Sequence, residues 1–390
     1  MITWLVKPGE LSLKGGNRKA FENILKRNML CMFGSAKAKL EIKNGRYYVH
    51  ADEDNSEKVE KVLARLIGIS GWARTRTCAK TVDELMHACA LEALELQAKG
   101  IKSFKIEARR TDKSFPLDSY ALRAQGGNAA LQAVPSLVVD VHKPEAVISI
   151  EIREKSYIYS NSRKGLGGLP VGSGGRGLLL LSGGIDSPLA GFRMACRGMG
   201  IDAVHFHSYP YTSAEARQKA IDLACILSSY CISLRLYIIQ FTGVQQRIKE
   251  RSPEAWATVL LRMAMMEAAQ IIAAKAGAKC LITGESLSQV ASQTIENLNC
   301  IESGIKIPVL RPLIGEDKES IIKNAEKIGT YKTSILPYAD CCVLFNPQHP
   351  VLHGNVKEAR TLYEALELEN LLAEAIENFE TIKTENGSQF

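Results

Sequence analysis

Gly177-Leu-Leu-Leu-Leu-Ser-Gly-Gly-Ile-Asp-Ser-Pro188 is the stretch on which the fold of the second half turns. Leucines 178–181 form a continuous apolar run, the pattern of a strand buried on both faces of a parallel sheet. The small residues 182–187 then predict a tight turn, and Pro188 opens a helix where its missing N–H costs nothing. Such a turn lets backbone N–H groups approach an anion, and the dipole of the next helix favours negative charge there. Ser182 and Ser187 add hydroxyl donors. Asp186 would repel a bare phosphate, so its presence asks for a Mg2+ between carboxylate and phosphate oxygens. No G-x-x-x-x-G-K-[ST] occurs, which excludes the phosphate loop of kinases and motors.

Downstream, further apolar runs at 203–207, 233–239, 280–283 and 307–310 alternate with helical segments. This predicts a doubly wound parallel α/β domain over 178–390. The apolar helix at 255–276 carries Arg262, Glu267, Gln270 and Lys275, so it reads as a core helix and not a membrane span. A stripe of Leu362, Leu366, Ala375, Ile376 and Phe379 predicts a C-terminal packing helix from 357 to about 383. Upstream, 165–177 is glycine-rich and reads as a hinge. Gly172, Gly174 and Gly177 satisfy G-x-G-x-x-G but precede the strand, so they are no dinucleotide fingerprint.

The first half has mixed, α+β patterning. Strands are expected at 1–6, 38–42 and 47–50, with an Asn44-Gly45 hairpin turn and a helix over 17–32. A second unit follows, with helices at 59–66, 81–99 and 118–131 and strands at 72–77, 103–109, 137–141, 146–152 and 156–160. Thr81 and Glu84 form a capping-box pattern. The expected division is 1–58, 59–165, a linker over 166–177, and 178–390.

Of the 390 residues, 49 are Lys or Arg and 42 are Asp or Glu, a net charge of +7. The balance is uneven: 1–176 holds 29 basic and 19 acidic residues, the remainder 20 and 23. The first half therefore suits a polyanion, whose phosphates basic side chains hold without reading sequence. Lys105, Arg109, Arg110, Lys113 and Arg123 are the candidate RNA contacts, with Lys14, Arg18 and Lys19 nearby. Ordinary globular composition, 46% hydrophobic and 23% charged, excludes a disordered or fibrous chain. The ten cysteines include no C-x-x-C pair, which removes support for a zinc ribbon or a thioredoxin-type motif. The N-terminus has no signal-peptide pattern, so a reduced, cytoplasmic protein is expected, with no membrane partner.

Ser182-Gly-Gly-Ile-Asp-Ser187 resembles the PP-loop, S-G-G-x-D-S, of the ATP pyrophosphatases. These enzymes split ATP into AMP and pyrophosphate while adenylating an oxygen. Further blocks, all in one order, resemble the tRNA 4-thiouridine synthetase family over nearly all of 1–350. They are Gly9-Glu-Leu-Ser-Leu-Lys-Gly15 with Asn17-Arg18; Glu107-Ala-Arg-Arg-Thr-Asp-Lys-Ser-Phe-Pro116; Gly167-Gly-Leu-Pro-Val171; and His205-Phe-His207. They continue with Thr283-Gly-Glu-Ser286, Gln289-Val-Ala-Ser-Gln-Thr294, Arg311-Pro-Leu-Ile314 with Asp317-Lys318, and Asp340-Cys-Cys342.

The resemblance implies an α+β ferredoxin-like domain (1–58) and a THUMP RNA-binding domain (59–165) ahead of a PP-loop ATP pyrophosphatase domain (178–390). It implies a cytoplasmic, homodimeric tRNA sulfurtransferase that converts uridine 8 of tRNA to 4-thiouridine with ATP and Mg2+. ATP would contact Leu180, Leu181, Ser182, Gly183, Gly184, Asp186, Ser187, His205, Phe206, Arg262, Gly284 and Gln293. Asp186 would hold the metal and Lys318 would neutralise phosphate charge. The sulfur-bearing cysteine would be Cys342, with Cys341 one residue away as the alternative. A cysteine desulfurase or another persulfide or sulfide donor would supply sulfur. Longer members of the family carry a C-terminal rhodanese domain; this chain is expected to follow the short form. The family's role in thiamine biosynthesis, tied to that domain, is therefore doubtful. The rival readings are a PP-loop synthetase for a small molecule and a tRNA-binding protein without catalysis.

Overall fold

The computed structural model describes residues 1–13, 16–43, 45–338 and 347–389, without the side chains of 12, 13 and 35. The chain divides into two units, Met1–Gly168 and Leu169–Phe390.

In the first unit, alternation decides which side chains are buried. Ile2, Trp4 and Val6 of the strand Ile2–Pro8 face one way, onto Leu25, Met29 and Phe33 of the helix Arg18–Phe33. Leu5 faces the other way, with Tyr48, Ala73, Tyr157 and Tyr159. The sheet runs Lys39–Lys43, Arg46–Ala51, Ile2–Pro8, Ile69–Cys78, Ser156–Tyr159, Ala146–Ile152, Ser103–Arg110 and Val138–Val139, with Arg163–Lys164 off this path beside Ile69–Cys78. A second core lies under the helices Val82–Ala98 and Ser119–Ala133, built on Phe104, Ile106, Ile148, Ile150 and Ile158. Thr81 caps the first of these helices by accepting from Glu84 N, and Asp118 caps the second. The strand expected at 137–141 shrinks to Val138–Val139. It does not pair with Ala146–Ile152, because Ser103–Arg110 lies between them, parallel to both.

The second unit has a seven-stranded sheet in the order Val309–Leu310, Leu281–Ile282, Arg176–Leu180, Gly200–His207, Ser233–Gln240, Glu380–Glu385 and Ser388–Gln389. The first five strands are parallel. The chain leaves Arg176–Leu180 towards Gly200–His207 on one side and later returns to Leu281–Ile282 on the other. That central strand is therefore a topological switch point, whose carboxyl end opens a crevice for ligands. Leu169 bridges Arg197, and the Gly172 and Gly174 N–H groups both donate to Gly198 O at 2.8 Å, so the glycine-rich stretch is folded onto this unit.

Two expectations are corrected here. The helix after the turn is Asp186–Cys196, so Pro188 is its third residue, still within the first turn where no N–H partner is lost. The C-terminal helix breaks in two, Val356–Glu364 and Glu369–Glu377, with Glu367 in left-handed backbone between them. The strand Glu380–Glu385 then runs antiparallel to Ser233–Gln240, pairing Leu236 with Ile382. The helix Ala257–Ala276 is long and apolar enough to cross a membrane, yet it packs in the core. Its polar residues are engaged: Arg262 with Glu285, Glu267 with the Tyr363 hydroxyl at 2.6 Å, and Gln270 with Lys306 N at 2.5 Å.

Candidate functional site

The turn at 182–187 is held by its own serines. Ser182 N donates to Ser187 Oγ at 3.0 Å, Ser187 Oγ donates to Ser182 O at 3.3 Å, and Gly184 N donates to Ser182 Oγ at 3.2 Å. Both hydroxyls thus sit at the positive end of the helix Asp186–Cys196, where an anion is favoured. Gly284 approaches the same helix end so closely that a Cβ there would lie 2.6 Å from Ser187 N, a position only glycine can fill.

Asp186 and Lys318, 132 residues apart, meet here. Lys318 Nζ lies 2.6 Å from Asp186 Oδ1, and Gln289 Nε2 donates to Asp186 Oδ2 at 3.0 Å. Lys318 is the first residue of the helix Lys318–Ile328, whose start is fixed by Asp317 accepting from Ser320 N. It is half-exposed, so its ammonium can exchange its partner for a phosphate.

Beside the turn lies a cavity of about 150 Å³. Of the residues assigned to ATP by resemblance, it is lined by Leu180, Leu181, Ser182, Asp186, Ser187, His205, Phe206, Arg262, Gly284 and Gln293. Gly183 and Gly184 belong to the turn but not to the cavity wall. His205 Nδ1 lies 2.9 Å from Leu181 O; a carbonyl only accepts, so the ring proton sits on Nδ1. Gln293 Oε1 is buried with no hydrogen-bond partner among the described residues, an acceptor at the cavity in want of a donor.

Glu285, 3% exposed, also lines the cavity, and sequence reasoning assigns it no role. It pairs with Arg262 Nη2 at 3.3 Å and Arg311 Nε at 2.6 Å, and accepts from Thr283 Oγ1 at 2.9 Å. Burial alone would raise its carboxyl; Arg262 and Arg311 overcome this and hold it below the ordinary range. Arg311 also pairs with Glu302, and Arg262 donates to Ser292 Oγ at 2.9 Å. Arg262 is thus fixed from two sides.

Cys341 and Cys342, with Asp340, lie outside the described residues, as does Lys14. Among the described cysteines, burial pushes the Cys89 thiol up to about 12 and those of Cys78 and Cys196 to about 11, which disfavours the nucleophilic thiolate there. Among the described residues no group of three or more His, Cys, Asp or Glu can hold a metal ion.

In the first unit the basic candidates separate by strand parity. Lys105 and Arg109 share a face of Ser103–Arg110, where Lys105 pairs with Glu107 at 2.9 Å. Arg110 turns to the other face and donates to Lys113 O at 3.4 Å and Phe115 O at 3.0 Å, bracing the loop after the strand. Lys113 is exposed; Arg123 lies 6.0 Å over the Tyr120 ring. Lys7, Arg46 and Arg153 gather near Arg109 around the buried Glu151, which Arg153 contacts at 3.0 Å and Arg46 at 3.7 Å. Burial lowers the Lys7 pKa, helped by Arg46 and Arg109 and opposed by Glu151. Period-two spacing of Leu5 and Lys7 was the available signal for this face.

A parallel strand, an SGGIDS turn and a helix N-terminus at a switch point define a PP-loop nucleotide-binding α/β protein, here joined to a basic α+β unit. Residues 172–368 match the family model for the thiamine biosynthesis protein ThiI, residues 3–73 its ferredoxin-like domain and residues 79–161 the THUMP domain. The probable tRNA sulfurtransferase of Treponema pallidum is 47% identical over 375 residues, 95% of this chain and 93% of its own. That of Caldanaerobacter subterraneus is 42% identical over 377 residues, 96% of this chain and 97% of its own. A crystal structure of a 4-thiouridine synthetase–RNA complex with bound ATP is 35% identical and superposes with a TM-score of 0.91, covering 99% of this chain and 100% of that one. This chain belongs to the ThiI family of tRNA sulfurtransferases.

Proposed function

We propose that this protein is an ATP-dependent tRNA sulfurtransferase that converts uridine 8 of tRNA to 4-thiouridine. The observation that carries the reading is the full-length similarity to a 4-thiouridine synthetase solved with RNA and ATP. The cavity beside the PP-loop supports it. ATP enters with its adenosine among Leu180, His205, Phe206 and Arg262, where the Gln293 Oε1 acceptor suits the adenine amino group. The phosphates meet the turn, its serines and the helix end.

Uracil O4 is a poor leaving group. Its attack on the α-phosphorus forms the O4–P bond and expels pyrophosphate, whose charge Lys318 neutralises on leaving Asp186. A persulfide sulfur on Cys342, or on Cys341, then attacks C4 and expels AMP with the former O4. A second thiol breaks the remaining S–S bond, and an external thiol reduces the resulting disulfide. A cysteine desulfurase or another persulfide donor loads the cysteine by passing on its outer sulfur and keeping its own thiol, whereas a sulfide donor would bypass the cysteine, its sulfide attacking C4 directly and expelling AMP. Asp186 suits Mg2+, which takes one or two carboxylates and fills its shell with phosphate oxygens and water. When bound, the ion withdraws charge from those phosphates.

The basic face of residues 1–168 holds the tRNA backbone, with Lys105 and Arg109 in contact, Lys113 and Arg123 at its margin, and Arg110 supporting the loop. The domains are taken as 1–58, 59–165 and 178–390, with 166–177 between them, in a cytoplasmic homodimer. The test is nucleoside mass spectrometry of unmodified tRNA treated with the protein, ATP, Mg2+ and a persulfide donor. 4-Thiouridine is expected at position 8 with wild type and not with Asp186→Ala; equal yields from both would overturn the assignment.

A further inference from the structure

Lys219 stands on the buried side of the helix Ala214–Cys231, only 5% exposed. A lysine is rarely so enclosed unless its ammonium has work inside. Its stem passes the PP-loop: a Cβ on Gly183 would lie 3.3 Å from Lys219 Cδ and 3.6 Å from Nζ. Its Nζ donates to Leu336 O at 2.8 Å. A second link runs alongside, for Ser334 Oγ donates to Gly184 O at 3.2 Å. Ser334 is itself buried, at the end of the short helix Tyr331–Ser334, which packs on Ala214–Cys231. Gly184 of the phosphate turn is therefore hydrogen-bonded to residues 331–338, and Lys219, whose stem passes Gly183, is bonded to the same segment. In the sequence Leu336 precedes Cys341 by only five residues.

The chemistry needs such a link. Adenylated uracil is activated toward any nucleophile. If water attacks C4 before sulfur does, the C4–O4 bond breaks, AMP leaves, and uridine is regenerated at the cost of one ATP. Sulfur must be aligned with the adenylate before it is hydrolysed, and an error of about 1 Å can cost about a hundredfold in such an attack.

We propose that Lys219 and Ser334 are positioning residues that keep residues 331–338 in register with the phosphate turn, so that sulfur delivery and adenylation fall on the same uracil C4. This rests on the sulfurtransferase reading above. Neither residue touches the reacting atoms. Their loss therefore affects the coupling of the two steps more than the first step itself.

The test measures AMP and 4-thiouridine in the same reaction with full-length protein, tRNA, ATP and persulfide donor. Wild type gives an AMP to 4-thiouridine ratio near one. In Lys219→Met the ratio is expected to rise about tenfold, the worth of one charge-assisted hydrogen bond, with the KM for ATP within about twofold. Lys219→Arg, which keeps a donor, restores part of the coupling, and Ser334→Ala raises the ratio by about threefold. An unchanged ratio in Ser334→Ala and in whichever Lys219 variants fold overturns the proposal, as does an equal loss of AMP and 4-thiouridine. Wild type that makes no 4-thiouridine refutes the sulfurtransferase reading instead, so the two failures are distinguishable.

Discussion

The two units hold their candidate functional residues in opposite ways. In residues 169–390 the chemistry is concentrated: one strand, one turn and one helix start bring Leu180, Ser182, Asp186 and Ser187 together, and Lys318 and Glu285 come to them. In residues 1–168 it is spread over strands whose charged residues alternate with core residues, so that no short segment defines the surface. A concentrated site fails when one residue is lost. A distributed basic surface weakens by degrees, because each phosphate contact contributes a similar, salt-dependent share.

The largest effect should therefore fall in the second unit. Asp186→Ala and Lys318→Ala are each expected to lower tRNA-dependent AMP formation by about a hundredfold or more, with tRNA affinity unchanged. Rapid-quench assays with labelled ATP measure the first quantity and filter binding the second. Charge reversal at Lys105 and Arg109 together should weaken tRNA binding by about tenfold and lower the salt slope by about 1 to 2, leaving the KM for ATP untouched. If that pair abolished AMP formation at saturating tRNA, the contrast between the units would be broken.

Glu285→Gln should raise the KM for ATP by about fivefold, since it loosens Arg262 while keeping the side chain's shape. Isothermal titration with a non-hydrolysable ATP analogue checks it. The same carboxylate makes the second unit acid-sensitive. Its folded pKa lies below the ordinary value near 4.5, so its stabilisation is complete above that value and is lost as pH falls through the folded pKa. Thermal melts at descending pH should therefore show a smaller loss for Glu285→Gln than for wild type. Arg110→Ala should cost about 1 kcal/mol of stability through the freed Lys113 and Phe115 carbonyls, with tRNA affinity reduced by less than about twofold.

The same contrast explains what the sequence made legible. The run 178–188 states strand, turn and helix within eleven residues, and local rules suffice to read it. Glu380-Thr-Ile-Lys-Thr-Glu385 hides its strand, because it buries only Ile382 and Thr384 on one face and exposes charges on the other, next to the short edge strand Ser388–Gln389. Leu362 does lie on a helix, but the stripe could not show that the helix ends at Glu364, with Leu366 in the turn and Glu367 in left-handed backbone. Lys219, Ser334 and Glu285 were illegible for another reason. Their partners are 117, 150 and 26 residues away, at Leu336, Gly184 and Arg311, and no local pattern encodes those contacts. Arg110 and Arg109 look equivalent in sequence, yet strand parity sends one to a loop and the other to the open face.

The central claim is that ATP is split at its α-phosphate to activate a tRNA uracil for sulfur. The most direct measurement follows α-labelled ATP with unmodified tRNA and a persulfide donor. The account predicts labelled AMP that appears only with tRNA and in step with 4-thiouridine. Label appearing as ADP, or as AMP at the same rate without tRNA, would contradict it.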